Sequence, residues 1–83
     1  MVLKAAHARV IAEILLARQD AANFGGPAYT LDDARAENTR TGWTYDVPGS
    51  QGRWVRHEGV RLTDSELRQA WALVDPLRTE TDR

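Results

Sequence analysis

Few side chains in this sequence are histidine or cysteine, the main ligands of zinc sites. It contains two histidines, His7 and His57, which are fifty residues apart, and it has no cysteine. A zinc site needs three or four ligands at suitable spacing, and His57-Glu58 lacks the second histidine of a zinc-protease helix. We therefore predict that the protein holds no metal and no cofactor.

The glycine-rich segments also fail to complete a catalytic motif. The sequence Gly49-Ser50-Gln51-Gly52 is one residue short of the nucleophile elbow of hydrolases. Neither this segment nor Gly25-Gly26 is followed by the Lys-Ser/Thr pair and helix that cradle a phosphate group. We expect no catalytic residues and no enzymatic activity.

The most distinctive side chains are basic and aromatic, and they lie in the middle of the chain. Residues 40–61 contain four arginines and two acidic residues, Asp46 and Glu58, so this segment has a net charge of +2. The whole chain has a net charge of −1. Tryptophan, tyrosine and arginine are enriched at the hot spots of protein interfaces, and guanidinium groups also bind phosphates. As candidate partner-binding residues we select Arg40, Arg53, Trp54, Arg56, His57 and Arg61.

These candidates fall on a predicted β-hairpin. The segments Thr41–Val47 and Arg53–Val60 are rich in residues that favour strands, and we expect a turn between them with Pro48 and Gly49 at its centre. If Val47 pairs with Arg53, one face of the hairpin carries Trp54 and Arg56. The opposite face then collects the apolar side chains Trp43, Tyr45, Val47 and Val55. A slip of one residue would exchange the two faces.

A long N-terminal helix is the clearest element around this hairpin. From Val2 to about Ala22 apolar residues recur at steps of three and four, and the segment Asn23–Pro27 ends the pattern. A chain of 83 residues has a thin core, so this apolar face packs against the domain or against the same helix of a second copy. For a possible homodimer we predict contacts through Val10, Ile11, Ile14 and Leu15.

Two further helices complete the predicted fold. Thr30 can cap a short helix from Leu31 to about Asn38. Residues 63–66 form a capping box that starts a C-terminal helix through about Asp75, and we expect residues 79–83 to be frayed. The order predicts a single α+β domain over residues 1–83: a long N-terminal helix, a short second helix, a two-stranded antiparallel hairpin and a C-terminal helix.

The sequence also contains no segment suited to crossing a bilayer. Charged residues, among them Lys4, Arg9 and Glu13, interrupt the longest apolar stretch, which runs from Val2 to Leu16. The lack of cysteine favours a reducing compartment, or it reflects a sequence that simply has no disulfides. We therefore expect a cytoplasmic protein that does not contact membranes.

From these features we expect a non-enzymatic protein-binding regulator or inhibitor, of a kind that phages and other mobile elements encode. The alternative is a DNA- or RNA-binding modulator in which the basic aromatic hairpin contacts phosphates, as the wing of a winged-helix domain does. A third possibility is a structural subunit of a larger assembly. A protein partner is favoured over a nucleic acid because the chain as a whole is slightly acidic.

Overall fold

Helices and a two-stranded antiparallel sheet follow one another along residues 3–81, the part of the chain that this computed structural model describes. The α+β fold expected from the sequence is confirmed, with the C-terminal helix divided in two. The elements are α1 (Ala5–Ala22), α2 (Leu31–Arg40), β1 (Trp43–Pro48), β2 (Trp54–Val60), α3 (Asp64–Ala72) and α4 (Val74–Thr81).

Helix α1 supplies the centre of the core. Its buried face is formed by small and aliphatic side chains, and α3, α4 and β1 all pack against it. These side chains are Ala8, Ile11, Ala12 and Leu15. The helix begins at Ala5, three residues later than the periodicity suggested, and residues 1 and 2 lie outside the described part of the chain.

Helices α2 and α3 begin at the capping residues expected from the sequence. The Thr30 hydroxyl accepts a hydrogen bond from the Asp33 backbone N–H, and the Asp33 carboxylate accepts one from Thr30 N–H. Thr63 and Glu66 form the same reciprocal pair at the start of α3. Each box satisfies N–H groups that a helix start would otherwise leave unpaired.

A proline explains why the C-terminal helix is divided. Pro76 has no N–H to donate to the carbonyl of Ala72, so the hydrogen-bond ladder is interrupted there. Helix α3 ends at Ala72, and α4 begins at Val74 with Pro76 in its first turn. Helix α4 then continues to Thr81, where we expected fraying from Thr79 onward, and residues 82 and 83 lie outside the described part.

The two strands pair with the expected faces but in a different register. Val47 pairs with Val55 rather than with Arg53, a shift of two residues, which leaves every side chain on its predicted face. The turn is centred on Gln51 and Gly52, both with positive φ angles of 59° and 73°, as in a type I′ turn. Pro48 therefore belongs to β1 and does not occupy the turn.

A buried amide links the inner face of the hairpin to α2. Asn38 Oδ1 accepts hydrogen bonds from Trp43 Nε1 and from Leu62 N, each at 2.9 Å, while Asn38 Nδ2 donates to Leu62 O at 3.0 Å. Asn38 is the one polar side chain counted as buried among the described residues. It joins α2 to the start of β1 and to the residues that follow β2. These contacts fix which face of the sheet meets the core.

Candidate functional site

The outer face of the hairpin presents a tryptophan to solvent. Trp54 is 69% exposed and lies opposite Pro48 near the turn, where β1 ends. Val55, the next residue, is 44% exposed, although its side chain is on the inner face and its cross-strand partner Val47 is buried. The two exposed apolar side chains at the tip of the hairpin thus lie on opposite faces of β2, and Trp54 is the one on the outer face.

The charges on this face largely compensate one another. Asp46 and Arg56 are cross-strand neighbours, and Arg56 Nε lies 3.1 Å from Asp46 Oδ1. Glu58 adds a further negative charge two residues along β2. At the turn, the exposed guanidinium of Arg53 has no hydrogen-bond or ion-pair partner within residues 3–81.

The two other predicted arginines lie at the opposite end of the hairpin. Arg61 donates hydrogen bonds to Gly59 O at 3.0 Å and to Arg40 O at 3.1 Å, so its guanidinium ties the base of the hairpin to the end of α2. From Trp54 to this base the strand spans roughly 20 Å. The structure therefore separates Arg40 and Arg61 from Arg53, Trp54 and Arg56, and the predicted basic cluster does not form one patch.

His57 is on the inner face, away from the other candidates. Its ring stacks on Tyr45 at a centroid distance of 5.5 Å and meets the ring of His7 edge-on at 4.9 Å. His7 Nδ1 lies 2.8 Å from the Tyr45 hydroxyl, so the two groups share a hydrogen bond. His57 thus joins the hairpin to α1 and is not part of the outer surface.

The proton affinities of His7 and Tyr45 reflect their surroundings. Burial lowers the pKa of His7, and the nearby positive charges of His57 and Lys4 lower it further. Burial raises the pKa of Tyr45, with a contribution from the carboxylate of Glu66. The cluster therefore favours a neutral imidazole beside a neutral phenol, which packs α1 against the sheet.

The predicted homodimer surface on α1 faces the interior. Ile11 and Leu15 are fully buried, with no exposed area, against residues of the hairpin and the C-terminal helices. Val10 and Ile14 are half-buried and pack against the same core. An interface through Ile11 and Leu15 would require the domain to open, because the chain's own core already covers them.

A second polar cluster, which was not among the sequence-based candidates, joins α1, α2 and the loop between them. Glu37 accepts a hydrogen bond from the Tyr29 hydroxyl at 2.6 Å and one from Arg18 Nη2 at 3.1 Å. Although burial acts to raise it, these hydrogen bonds hold the pKa of Glu37 below its usual value. Beside this cluster is a pocket of about 330 Å³, lined by Ala22, Pro27, Ala28, Tyr29, Asp33, Ala36, Glu37 and Arg40.

Neither a metal centre nor a membrane span is present among residues 3–81. No group of three or more histidine, aspartate or glutamate side chains is close enough to hold an ion in that part of the chain. None of the helices within the same range has the length and apolar character needed to cross a bilayer.

Comparisons with known proteins give no family for this chain. No protein-family model, curated protein or solved structure matches it. What the protein does must therefore be inferred from the geometry of its own side chains, and the most informative geometry is that of Trp54.

Proposed function

We propose that this protein is a non-enzymatic, protein-binding regulator or inhibitor that contacts its partner through the outer face of the hairpin. The observation that supports this function is the 69% exposure of Trp54 on a regular strand. Tryptophan is one of the side chains enriched at the hot spots near the centre of protein interfaces.

The position of Trp54 suits an anchor that is ordered before binding. Its backbone belongs to β2, whose pairing with β1 is continuous from Pro48 to Tyr45. A rigid strand limits the conformational entropy lost on association. If a partner covers roughly 150 Å² of the indole, burial at about 25 cal/mol per Å² contributes about 4 kcal/mol to the binding free energy. The entropy lost on association is subtracted from this contribution.

The charges around Trp54 favour a protein partner over a nucleic acid. Nucleic-acid affinity depends on several basic groups that neutralise phosphates together. On the outer face Arg56 is paired with Asp46, and the Arg61 guanidinium is engaged with backbone carbonyls about one strand length away. Arg53 is left as the basic group beside Trp54, which suits a single ion pair at the rim of a protein interface.

The experiment that tests this proposal is affinity capture from a lysate of the organism that encodes the chain. Tagged wild-type protein is compared with Trp54→Ala and with Phe24→Ala, in parallel samples with and without nuclease, and bound molecules are identified by mass spectrometry. Phe24 is a matched control because it is also an exposed aromatic residue, 91% accessible, but lies in the loop after α1.

We expect a stoichiometric, nuclease-resistant protein that is captured by the wild type and by Phe24→Ala, and at least tenfold less by Trp54→Ala. A tenfold loss corresponds to about 1.4 kcal/mol of binding free energy. Capture that is unaffected by Trp54→Ala would contradict the proposed surface. Recovery of nucleic acid, with proteins lost on digestion, would favour the DNA- or RNA-binding alternative.

A further inference from the structure

The edge of β2 that faces away from β1 is an unused hydrogen-bonding surface of the sheet. The sheet has two strands, and among residues 3–81 no other strand pairs with β2. Helix α1 packs on β1, while the side chains of β2 are exposed at Trp54, Val55, Arg56 and Glu58. An uncovered edge strand is a template for pairing with another strand.

The register of the hairpin shows which backbone groups face this edge. Gly49 N donates to Arg53 O at 2.6 Å, so Arg53 points its carbonyl toward β1. Successive residues of an antiparallel strand alternate in direction. The backbone N–H and C=O groups of Val55 and His57 therefore also face β1, whereas those of Trp54, Arg56 and Glu58 face the free edge.

A second copy of β2 can meet these groups in antiparallel orientation, and the charges select one register. Centred on Arg56, the pairing sets two Arg56 side chains opposite each other, which is repulsive. Centred on Val55, it sets Glu58 opposite Gly52, a turn residue that is not part of a strand. Centred on His57, it sets Arg56 of each copy directly opposite Glu58 of the other.

We propose that two copies of this chain associate through the edges of β2, in antiparallel register about a two-fold axis at His57. The hairpins then form one four-stranded sheet, with two Arg56–Glu58 pairs on its outer face. This inference goes beyond the proposed function and does not depend on it. It concerns the edge of the strand, and it leaves both copies of Trp54 on the outer face.

The length of the contact sets its strength. Gly59 has a φ of +61° and lies where the ladder shifts by one residue between Tyr45–His57 and Trp43–Val60. This bulge bends β2 and confines regular edge pairing to residues 54–58. About four backbone hydrogen bonds and two ion pairs result, so we expect association that is detectable at about 0.1–1 mM and weak at micromolar concentration.

The test is sedimentation equilibrium of the purified chain from about 10 μM to about 1 mM, with charge reversals at the two opposed positions. Arg56→Glu places Glu opposite Glu58 of the other copy, and Glu58→Arg places Arg opposite Arg56. Each variant alone is expected to remain monomeric at concentrations where the wild type dimerises. An equimolar mixture of the two variants restores both opposite-charge pairs and is expected to dimerise.

A matched control is Arg68→Glu. The Arg68 side chain is 63% exposed and paired with Asp64, as Arg56 is 63% exposed and paired with Asp46, but Arg68 lies on α3. The Arg68→Glu variant is therefore expected to dimerise as the wild type does. Circular dichroism confirms that each variant is folded, and the mixture separates edge pairing from unfolding, because a misfolded hairpin would not recover on mixing.

A wild-type chain that stays monomeric to about 1 mM would overturn the proposal, as would mixed variants that fail to associate. Equal dimerisation of the wild type and Arg56→Glu would overturn the register at His57. These measurements use the chain alone. Their outcome is therefore independent of whether Trp54→Ala loses a partner in the capture experiment.

Discussion

The two tryptophans of the hairpin lie on opposite faces of the same small sheet. Trp43 is 2% exposed and Trp54 is 69% exposed. Trp43 faces the helices, and its indole N–H donates to Asn38. Trp54 faces solvent beside the Asp46–Arg56 pair. Side chains alternate between the two faces of a sheet along each strand. The position of a tryptophan in this alternation therefore decides whether its indole stabilises the fold or is available to a partner.

The same alternation separates the two neighbours Arg56 and His57. Arg56 pairs with Asp46 on the outer face. His57 packs against Tyr45 and His7 on the inner face. A basic segment that is continuous in sequence is thus divided in space, and the outer face retains less positive charge than the composition of residues 40–61 indicates.

The largest loss of stability is expected when a buried side chain on the inner face is truncated. Trp43→Ala removes a fully buried ring and is expected to lower the free energy of unfolding by about 3–5 kcal/mol, a large part of the roughly 5–15 kcal/mol of a typical domain. Urea denaturation followed by circular dichroism measures this loss. A loss no larger than that of Trp54→Ala would contradict the contrast between the two faces.

The amide that orients the inner face is expected to be the next most sensitive position. Asn38→Leu leaves Trp43 Nε1 and both backbone groups of Leu62 without their hydrogen-bond partner. We expect a loss of about 3 kcal/mol, the lower end of what three buried unpaired groups would cost at about 1–3 kcal/mol each. Urea denaturation measures the loss, and faster hydrogen exchange at Leu62 N–H locates it. Unchanged protection of that amide would mean that Asn38 does not hold the hairpin to α2.

The elements of this fold were largely predictable because their signals are local. A hydroxyl residue followed three positions later by an acidic one marks the start of both α2 and α3, at Thr30 and Thr63. The apolar alternation in β1 set the faces of the hairpin, and a shift of two residues preserved them. The actual turn, at Gln51 and Gly52, was missed because Pro48 and Gly49 offered an equally acceptable turn.

The sequence indicated only part of the candidate site, because Arg40, His57 and Arg61 lie away from it, and it did not indicate how the remaining residues are arranged. The exposed Trp54 was a sequence candidate, but whether Arg56 is free depends on its being opposite Asp46, which only the register decides. The contact of Arg61 with the carbonyl of Arg40 joins residues 21 positions apart. Asn38 likewise bonds to Leu62, 24 positions away. Such pairs arise from tertiary packing, for which a single sequence has no local signal.

Acidification offers a milder way to loosen the inner face. The pKa of His7 in the folded chain is below its ordinary value of 6.5, first because of burial and then because of His57 and Lys4. Near pH 6 the unfolded chain therefore binds more protons, so the free energy of unfolding falls as pH decreases. We expect lower stability at about pH 5.5 than at about pH 7.5, and a flatter profile for His7→Gln.

The carboxylates with lowered pKa values act outside this range. The pKa values of Glu37, Asp64 and Glu66 are lowered from 4.5, 3.8 and 4.5, so their contribution is lost only as pH falls below those values. Urea denaturation at each pH gives the comparison. An identical slope for the wild type and His7→Gln between about pH 5.5 and 7.5 would show that His7 does not couple protonation to folding.

The smallest effect on stability is expected at the outer face. Trp54→Ala removes a side chain that is mostly in water, so the free energy of unfolding should change by no more than about 0.5 kcal/mol. Acrylamide quenching of fluorescence provides an independent measure, because Trp54→Phe should remove the most accessible fraction of the emission. If Trp54→Ala instead destabilised the chain by about 3 kcal/mol, as expected for a core residue, the indole would be part of the fold. The hairpin would then lose the anchor on which partner binding is proposed to depend.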